Sequence, residues 1–413
     1  MKSKKYDWIV VGGGAAGIAI AEILARMGLE ILIIEKNKKL ADETSGIFHE
    51  WLHTGSLYTL TPDKLETTRY LLGALDDLLM YYSIFKNMNL IPSRSGLKVQ
   101  GLGWFNNDNI EYRFKVRPFN PIWSIIVARS LSLIDEIKKH DWLRQRAGSK
   151  FDRLNLNITR ILKFYPSLKE EFTCLPSPDI TINSKNLLSD LLNSYKHNNG
   201  NVITDVEVTK INDKGHEVIL ETSKGEFFSK KSVLCCADGI TKFTKFDLKI
   251  SYAPMFVVES RENKINSFVE LDIIIKNCIN MIKKSHNYGL AGGISLKSKD
   301  QVRDYIEFCI KSHLKIDPSL VVLDQYIGLK KELVKPGLNR NYLFHINSLS
   351  ENVWSIILGK FTLMFSLGPE FIRRVYNRNI DVNKTLNNNI RFSKINNLIS
   401  DRQWEKIVKS KEI

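Results

Sequence analysis

The chain has 413 residues, 43% of them apolar, which is long for one domain and rich enough for a sizeable core, so two interleaved domains are expected. No uncharged apolar run reaches about 18 residues, which excludes a membrane-spanning helix; five cysteines (Cys174, Cys235, Cys236, Cys278, Cys309) without C-x-x-C spacing exclude a disulfide framework and a structural metal site. The 60 basic against 45 acidic residues give a formal charge of +15; lysine is spread along the whole chain, so the expectation is a solvated basic surface that attracts anions, with no module for nucleic acid.

Residues 7 to 35 carry the strongest pattern. The β-branched run 8–11 reads as a buried parallel strand, Gly12, Gly14 and Gly17 fall in the register G-x-G-x-x-G, and residues 15–27 have helical composition without proline. Gly28 ends that helix, residues 29–34 read as a second buried strand, and Glu35 stands at its tip. In such a unit Gly12 permits the tight turn, Gly14 lets a pyrophosphate approach the backbone, and Gly17 lets helix and strand pack closely. Free N–H groups at the helix start face the phosphates, and the Glu35 carboxylate accepts hydrogen bonds from a ribose 2′-hydroxyl while repelling a 2′-phosphate. Strand, glycines, helix, second strand and acid occur in the order the motif requires, so the unit is read as a dinucleotide site. Lys2, Lys4 and Lys5 ahead of an apolar run imitate a secretory signal; because the same residues complete the βαβ unit, they are expected to be retained.

A polar linker follows, and residues 62–88 read as a helix with Pro62 in its first turn and Leu71, Leu72, Leu75 and Leu78 on the buried side. Alternating stretches between 95 and 119 suit strands, and 123–142 has a helical apolar pattern. A helix over 182–195 is stopped by Gly200, a single strand is expected over 201–211, and turns are placed at Lys214-Gly215 and Lys224-Gly225 before an apolar strand at 232–237. This strand returns to the nucleotide sheet far along the chain, which makes that domain discontinuous. Further strands are expected at 255–259 and 321–329, a helix at about 300–314, a strand-to-turn unit at 354–362 and a helix over 363–376. The tail from 377 is basic and Asn-rich, with Leu398, Ile399, Trp404, Ile407 and Val408 interleaved. Such a segment can lie on a membrane surface or dock on the protein itself.

From Thr44 the sequence TSGIFHEWLHTGSLY is similar to the flavin-contacting segment of the D-amino-acid-oxidase-like FAD oxidoreductases, and within them to the FAD-linked glycerol-3-phosphate and L-2-hydroxyglutarate dehydrogenases. Thr44, Ser45, His53, Gly55 and Tyr58 match the pattern T-S, seven residues, H-x-G-x-x-Y. Val208 matches a valine whose backbone meets adenine, and CCADG (235–239) resembles a second glycine motif near the pyrophosphate, with Ala237 and Gly239 matching and Asp238 replacing a small residue. LGKFT, with Gly359, Lys360, Phe361 and Thr362, is similar to the family's G-K-[WF]-T loop. A strand ending in Gly-Lys at a helix start directs N–H groups, a helix dipole and an ammonium to one point, where they would stabilise the negative charge of reduced flavin; the plain alternative is a capped helix with a surface lysine.

The resemblance implies FAD as cofactor, with Ala16 and Lys36 completing the nucleotide-facing set. It implies His53 as the base, since an imidazole with pKa of about 6.5 can take a hydroxyl proton; His49 and Glu50 have residue types the family does not require. Two anion-holding arginines of the glycerol-phosphate relatives correspond to Lys330 and Arg340, where a lysine offers a point charge in place of a fork, so the expected anion is a carboxylate or another small anion as readily as a phosphate; the plain alternative is that both are ordinary surface cations.

The expected fold is α/β (α+β overall). A discontinuous Rossmann-like FAD-binding domain over 1–60, 180–250 and 340–376 joins a β-sheet-rich substrate domain over 61–179 and 251–339 and a basic C-terminal tail over 377–413. The expected function is an FAD-dependent dehydrogenase that oxidises a CH–OH group of a small anionic hydroxy acid or polyol derivative. The alternatives are an amine or amino-acid oxidase and a catalytically degenerate flavoprotein that acts as a binding component. The resemblance implies a quinone or oxygen as electron acceptor. The expected location is cytoplasmic, with peripheral contact at the inner face of a membrane open through the tail.

Overall fold

The computed structural model describes residues 5–61, 63–82, 85, 89–93, 96–100, 103–106, 110–115, scattered positions between 125 and 139, 173–177, 179–262, 264–272, 277–334, 342–381 and 397–412. Strand β1 (Lys5–Val11) is the centre of an eight-stranded sheet. It pairs in parallel with β2 (Ile31–Ile34) on one side and with Gly225–Leu234 on the other. Asn201–Ile203 extends the sheet beyond β2, Val353–Ile357 pairs in parallel with the end of Gly225–Leu234, and an antiparallel arm formed by Val208–Asp213 and Val218–Thr222 leans on its beginning.

Both faces of this sheet are covered, as parallel strands require. Trp8 and Val10 face a helical layer, while Tyr6, Ile9 and Val11 face the core beneath the antiparallel arm. In the helical layer α1 (Ala15–Arg26) is buried along its whole length; it packs between the helices Ser184–His197 and Met364–Tyr376. A helix with no solvent face must neutralise its own charges, and Glu22 and Arg26 pair at 2.8 Å within it.

A second, seven-stranded sheet takes strands from 110–114, 173–176 and 248–333. Its order runs Leu320–Leu333, Leu248–Ser260, Tyr288–Gly293, Cys278–Lys283, Ser267–Leu271, Ile110–Phe114, Thr173–Pro176. The pairs are antiparallel except that Ser267–Leu271 runs parallel to Ile110–Phe114. Helix Lys299–Ile316 packs on this sheet. Phe48 and His49 of the first unit touch it at Gly328 and Gly292, where an added Cβ would come within 2.6 and 3.0 Å of their rings.

Several elements depart from the sequence expectation. The alternating run 201–211 is two strands, because the chain bends at Asp205 (φ +57°) to pass over the tip of β2, donating to the carbonyls of Asn37 and Glu35. Alternation reports a strand face and is blind to which sheet edge the strand joins. Ile180–Ile182 is a strand, and Asn183 caps the helix that starts at Ser184 by accepting from the Asn186 amide at 3.0 Å. The helix expected over 62–88 runs from Glu66 to Tyr82. The strand expected over 232–237 ends at Leu234, and Ala237 opens a 3-10 turn with φ +46°. Most of the helix expected over 123–142 lies outside the described residues.

Candidate functional site

The glycine turn has the shape a dinucleotide needs. Gly12 has φ +104°, and a Cβ there would stand 2.7 Å from the Cys235 carbonyl oxygen. A Cβ on Gly17 would lie 1.9 Å from the Gly12 carbonyl oxygen, so only glycine lets α1 close onto the turn. Above Gly14 the space is open, with the Ser45 hydroxyl at 3.3 Å from a built Cβ as its only near neighbour among the described residues. Helix α1 has no acidic residue in its first turn and no side-chain cap at Gly14, so its dipole is available to an anion. Ala16 sits buried in that first turn.

Glu35, buried at the tip of β2, accepts from the amides of Gly13 (2.7 Å) and Asn37 (2.9 Å). Burial pushes its carboxyl above the ordinary carboxylate value against those two hydrogen bonds. One acceptor lone pair remains on each oxygen for ribose hydroxyls. Lys36 pairs with Glu43 at 2.6 Å, and Ser45 accepts from the Ala15 amide at 3.0 Å while Thr44 is exposed. Val208 is buried in the core under the antiparallel arm. Asp238, the acid that departs from the second glycine motif, is neutralised by Lys331 at 2.6 Å, which outweighs burial and holds its carboxyl low. At Gly239 an added Cβ would make only an ordinary 3.5 Å contact, so the position does not demand glycine.

The second half of the site gathers around His53. Its amide donates to the Thr362 hydroxyl at 2.9 Å, tying the segment 44–58 to the Gly359–Thr362 loop across the chain. Gly359 itself is enclosed, since a Cβ would lie 2.3 Å from the Leu343 carbonyl oxygen, and Phe361 packs against the main core. The His53 ring stacks on Trp51 at 4.6 Å and meets Tyr58 edge-on at 5.2 Å. Lys360 Nζ lies over the rings of Tyr58 and Tyr342 at 4.9 and 4.8 Å, and Lys330 Nζ lies 4.7 Å over Phe48. Arg340 lies outside the described residues.

The sequence reading missed Asp179. Fully buried, it stands 3.3 Å from His53 Nδ1 and accepts from the Thr54 amide at 2.7 Å, from the Thr54 hydroxyl and from the Tyr112 hydroxyl at 2.6 Å. Burial alone would raise its carboxyl, but these donors hold it below the ordinary value, so it is a carboxylate. The His53 pKa is lowered as well: burial, with Lys360 and Lys330, takes it below 6.5 despite Asp179. The consistent state is a neutral imidazole whose Nδ1–H donates to Asp179, with Nε2 carrying the lone pair. Nothing local marked Asp179, which lies 126 residues from His53.

The residues present fit FAD: open space over Gly14 and the N–H groups of the α1 start could take a pyrophosphate, the Glu35 carboxylate could accept from ribose hydroxyls, and Lys330 and Lys360 supply cations for the negative charge of a reduced flavin. Solved structures of similar fold include glycine oxidase from Geobacillus kaustophilus (14% identity, 91% of this chain and 96% of that chain, TM-score 0.63). L-α-glycerophosphate oxidase from Mycoplasma pneumoniae with FAD bound matches at 18% identity over 90% and 95% of the two chains (TM-score 0.61). L-amino acid deaminase from Proteus myxofaciens matches at 11% identity over 92% and 93% (TM-score 0.63). Among curated sequences, UDP-galactopyranose mutase from Mycoplasma pneumoniae is 38% identical over 55 residues, a stretch that covers 11% of this chain and 14% of that relative. The family model DAO, FAD dependent oxidoreductase, matches residues 7–263. With the glycine turn, Glu35 and the His53 segment inside the matched range, the chain belongs to the DAO family of FAD-dependent oxidoreductases.

Proposed function

We propose that this chain oxidises a CH–OH group of a small anionic hydroxy acid or polyol derivative to the carbonyl. The observation that supports this reading is the His53–Asp179 pair. An alcohol releases hydride from carbon only as its hydroxyl proton leaves, so the reaction needs a neutral base fixed in one tautomer. Burial keeps His53 neutral and Asp179 occupies Nδ1, which leaves Nε2 to take the proton. An amine donor, with its own lone pair to assist, has less need of such a base. FAD, when bound, supplies the acceptor for the hydride.

In this reading Lys330, on the strand that faces Phe48, holds the substrate anion together with Arg340. Lys360 stands over the Tyr58 and Tyr342 rings as the cation of the loop that enters helix Met364–Tyr376. Oxygen or a quinone removes the electrons afterwards. Contact with a membrane through the tail has less to draw on, because Ile399, Ile407 and Val408 are buried against the protein.

The test is the visible spectrum of the purified protein under anaerobic conditions with hydroxy acids, polyol phosphates and amino acids added in turn. Bleaching by a hydroxy compound supports the proposal. Bleaching by amino acids alone would replace it with amine oxidation, and flavin bands that no donor bleaches would point to a binding role.

A further inference from the structure

Residues 398–408 lie across the outer side of the segment that carries Thr44 and Ser45. Leu40 and Ile399 form a parallel bridge, with the Leu40 amide donating to the Leu398 carbonyl at 2.8 Å and the Ser400 amide to the Leu40 carbonyl at 2.9 Å. The Leu40 side chain is itself the wall of the glycine turn, since a Cβ on Gly13 would lie 2.3 Å from its Cδ2. Two residues on, the Arg402 guanidinium is 1% exposed. It donates through Nη1 to the Ser45 carbonyl at 2.8 Å and the Ser184 hydroxyl at 3.2 Å, and through Nη2 to the Ser400 carbonyl at 2.6 Å. It also packs 3.8 Å from the Cβ that Gly46 would carry.

The same segment is anchored at its far end. Trp404 Nε1 donates to Glu50 at 3.2 Å, and Ile407 and Val408 join the apolar cluster of Ala253, Met255 and Leu290 in the second sheet. Asp42 is engaged by the Ser400 hydroxyl and by Lys406 at 2.7 Å. Both strands of this attachment end on groups that line the nucleotide turn: Leu40 against Gly13, and Ser45, whose hydroxyl accepts the Ala15 amide at the start of α1.

The geometry points to residues 398–408 as a strap that sets the FAD-contacting segment 40–50 against the glycine turn, with Arg402 as its positioning residue through the Ser45 carbonyl. The strap acts on FAD by holding Leu40 and Ser45 where the turn needs them, so strap docking and FAD binding are coupled, and the coupling is reciprocal. The inference rests on FAD binding at the Gly12–Gly17 turn, which the visible spectrum of the unaltered protein reports separately, and is independent of the substrate.

Two measurements on the full chain test it. In hydrogen exchange of the unaltered protein, saturating FAD is expected to slow the amides of Leu40, Ser400 and residues 403–408 about tenfold or more; exchange there that FAD leaves unchanged overturns the proposal. Arg402→Lys keeps a buried cation but cannot reach the Ser45, Ser184 and Ser400 oxygens together. Its FAD dissociation constant, from flavin fluorescence, is expected to rise about tenfold, whatever the accompanying fall in the thermal midpoint of the FAD-free protein, and Arg402→Lys protein saturated with FAD is expected to gain correspondingly less in midpoint than the unaltered protein. An unchanged FAD affinity, with the midpoint lowered equally with and without FAD or not at all, would overturn the positioning role of Arg402.

Discussion

His53 can serve as a base only while its two ring nitrogens differ, and the difference is imposed by Asp179. His53→Asn is expected to keep FAD bound and to slow flavin reduction by about 10²–10⁴-fold, read by anaerobic stopped-flow; reduction at the unaltered rate would remove His53 from the chemistry. The pH dependence follows from the direction of its shift. Burial, with Lys360 and Lys330, places the folded pKa below 6.5 despite Asp179, so the neutral form that a base requires predominates at pH 7. The rate of flavin reduction is expected to fall on acidification with an apparent pKa below that of a free imidazole, about 6.5, as acid carries the solution through the folded value. A group with a depressed folded pKa also binds fewer protons folded than unfolded, so its contribution to stability is present above the unfolded value and is lost on acidification. His49, lowered even further by burial, adds to the same acid loss, which a thermal midpoint series from pH 7.5 to 5 would read.

The βαβ unit is the element most dependent on single atoms. At Gly17 the 1.9 Å approach of a built Cβ to the Gly12 carbonyl oxygen leaves the helix no choice but to move outward if a side chain is added. Gly17→Ala is expected to cost about 1–3 kcal/mol of stability and to lose most FAD, checked by denaturation and by the flavin absorbance of the purified protein. Gly239→Ala, with only a 3.5 Å contact to Cys236, is the matched control and is expected to be nearly neutral. This unit was legible because everything it needs lies within 7–35: a buried run, three glycines in register and an acid at the tip of β2. The run 201–211 was misread for the opposite reason. Its bend at Asp205 is set by hydrogen bonds to Asn37 and Glu35, residues that alternation within the run cannot report.

At the scale of the molecule, the segment 44–58 is tied to the second sheet by a buried ion pair. Glu50 and Lys284 meet at 2.6 Å with side chains 5% and 2% exposed. Ser184 and Trp404 donate to the same carboxylate, and Lys284 also donates to the His49 carbonyl. Burial raises the Glu50 carboxyl, but Lys284 and Ser184 outweigh it and hold the group below its ordinary value. Lys284→Met would strand that charge in the interior, and a loss of about 3–5 kcal/mol is expected, measured by urea denaturation. Adding Glu50→Gln should recover part of it, since a neutral amide is cheaper to bury unpaired. Recovery would identify the stranded carboxylate as the cause, and a double variant no more stable than Lys284→Met would assign the loss to packing of the lysine stem.

The sequence by itself determined the nucleotide turn and the acid at the tip of β2, because that pattern is short and its chemistry is complete within a few residues; the His53 segment and the Gly359–Thr362 loop stood out in it only through a family resemblance. Only the tertiary structure brought Asp179 to His53, Lys331 to Asp238, Lys284 to Glu50 and Arg402 to Ser45. Those partners are single charged side chains in unremarkable local contexts, and nothing in their own neighbourhoods distinguishes them from the many other charges of a lysine-rich chain. Their meaning comes from burial, where an unpaired charge is costly and a paired one fixes a tautomer, a loop or an interface. Burial is a property of the assembled fold, and it is decided by contacts between segments far apart in the chain.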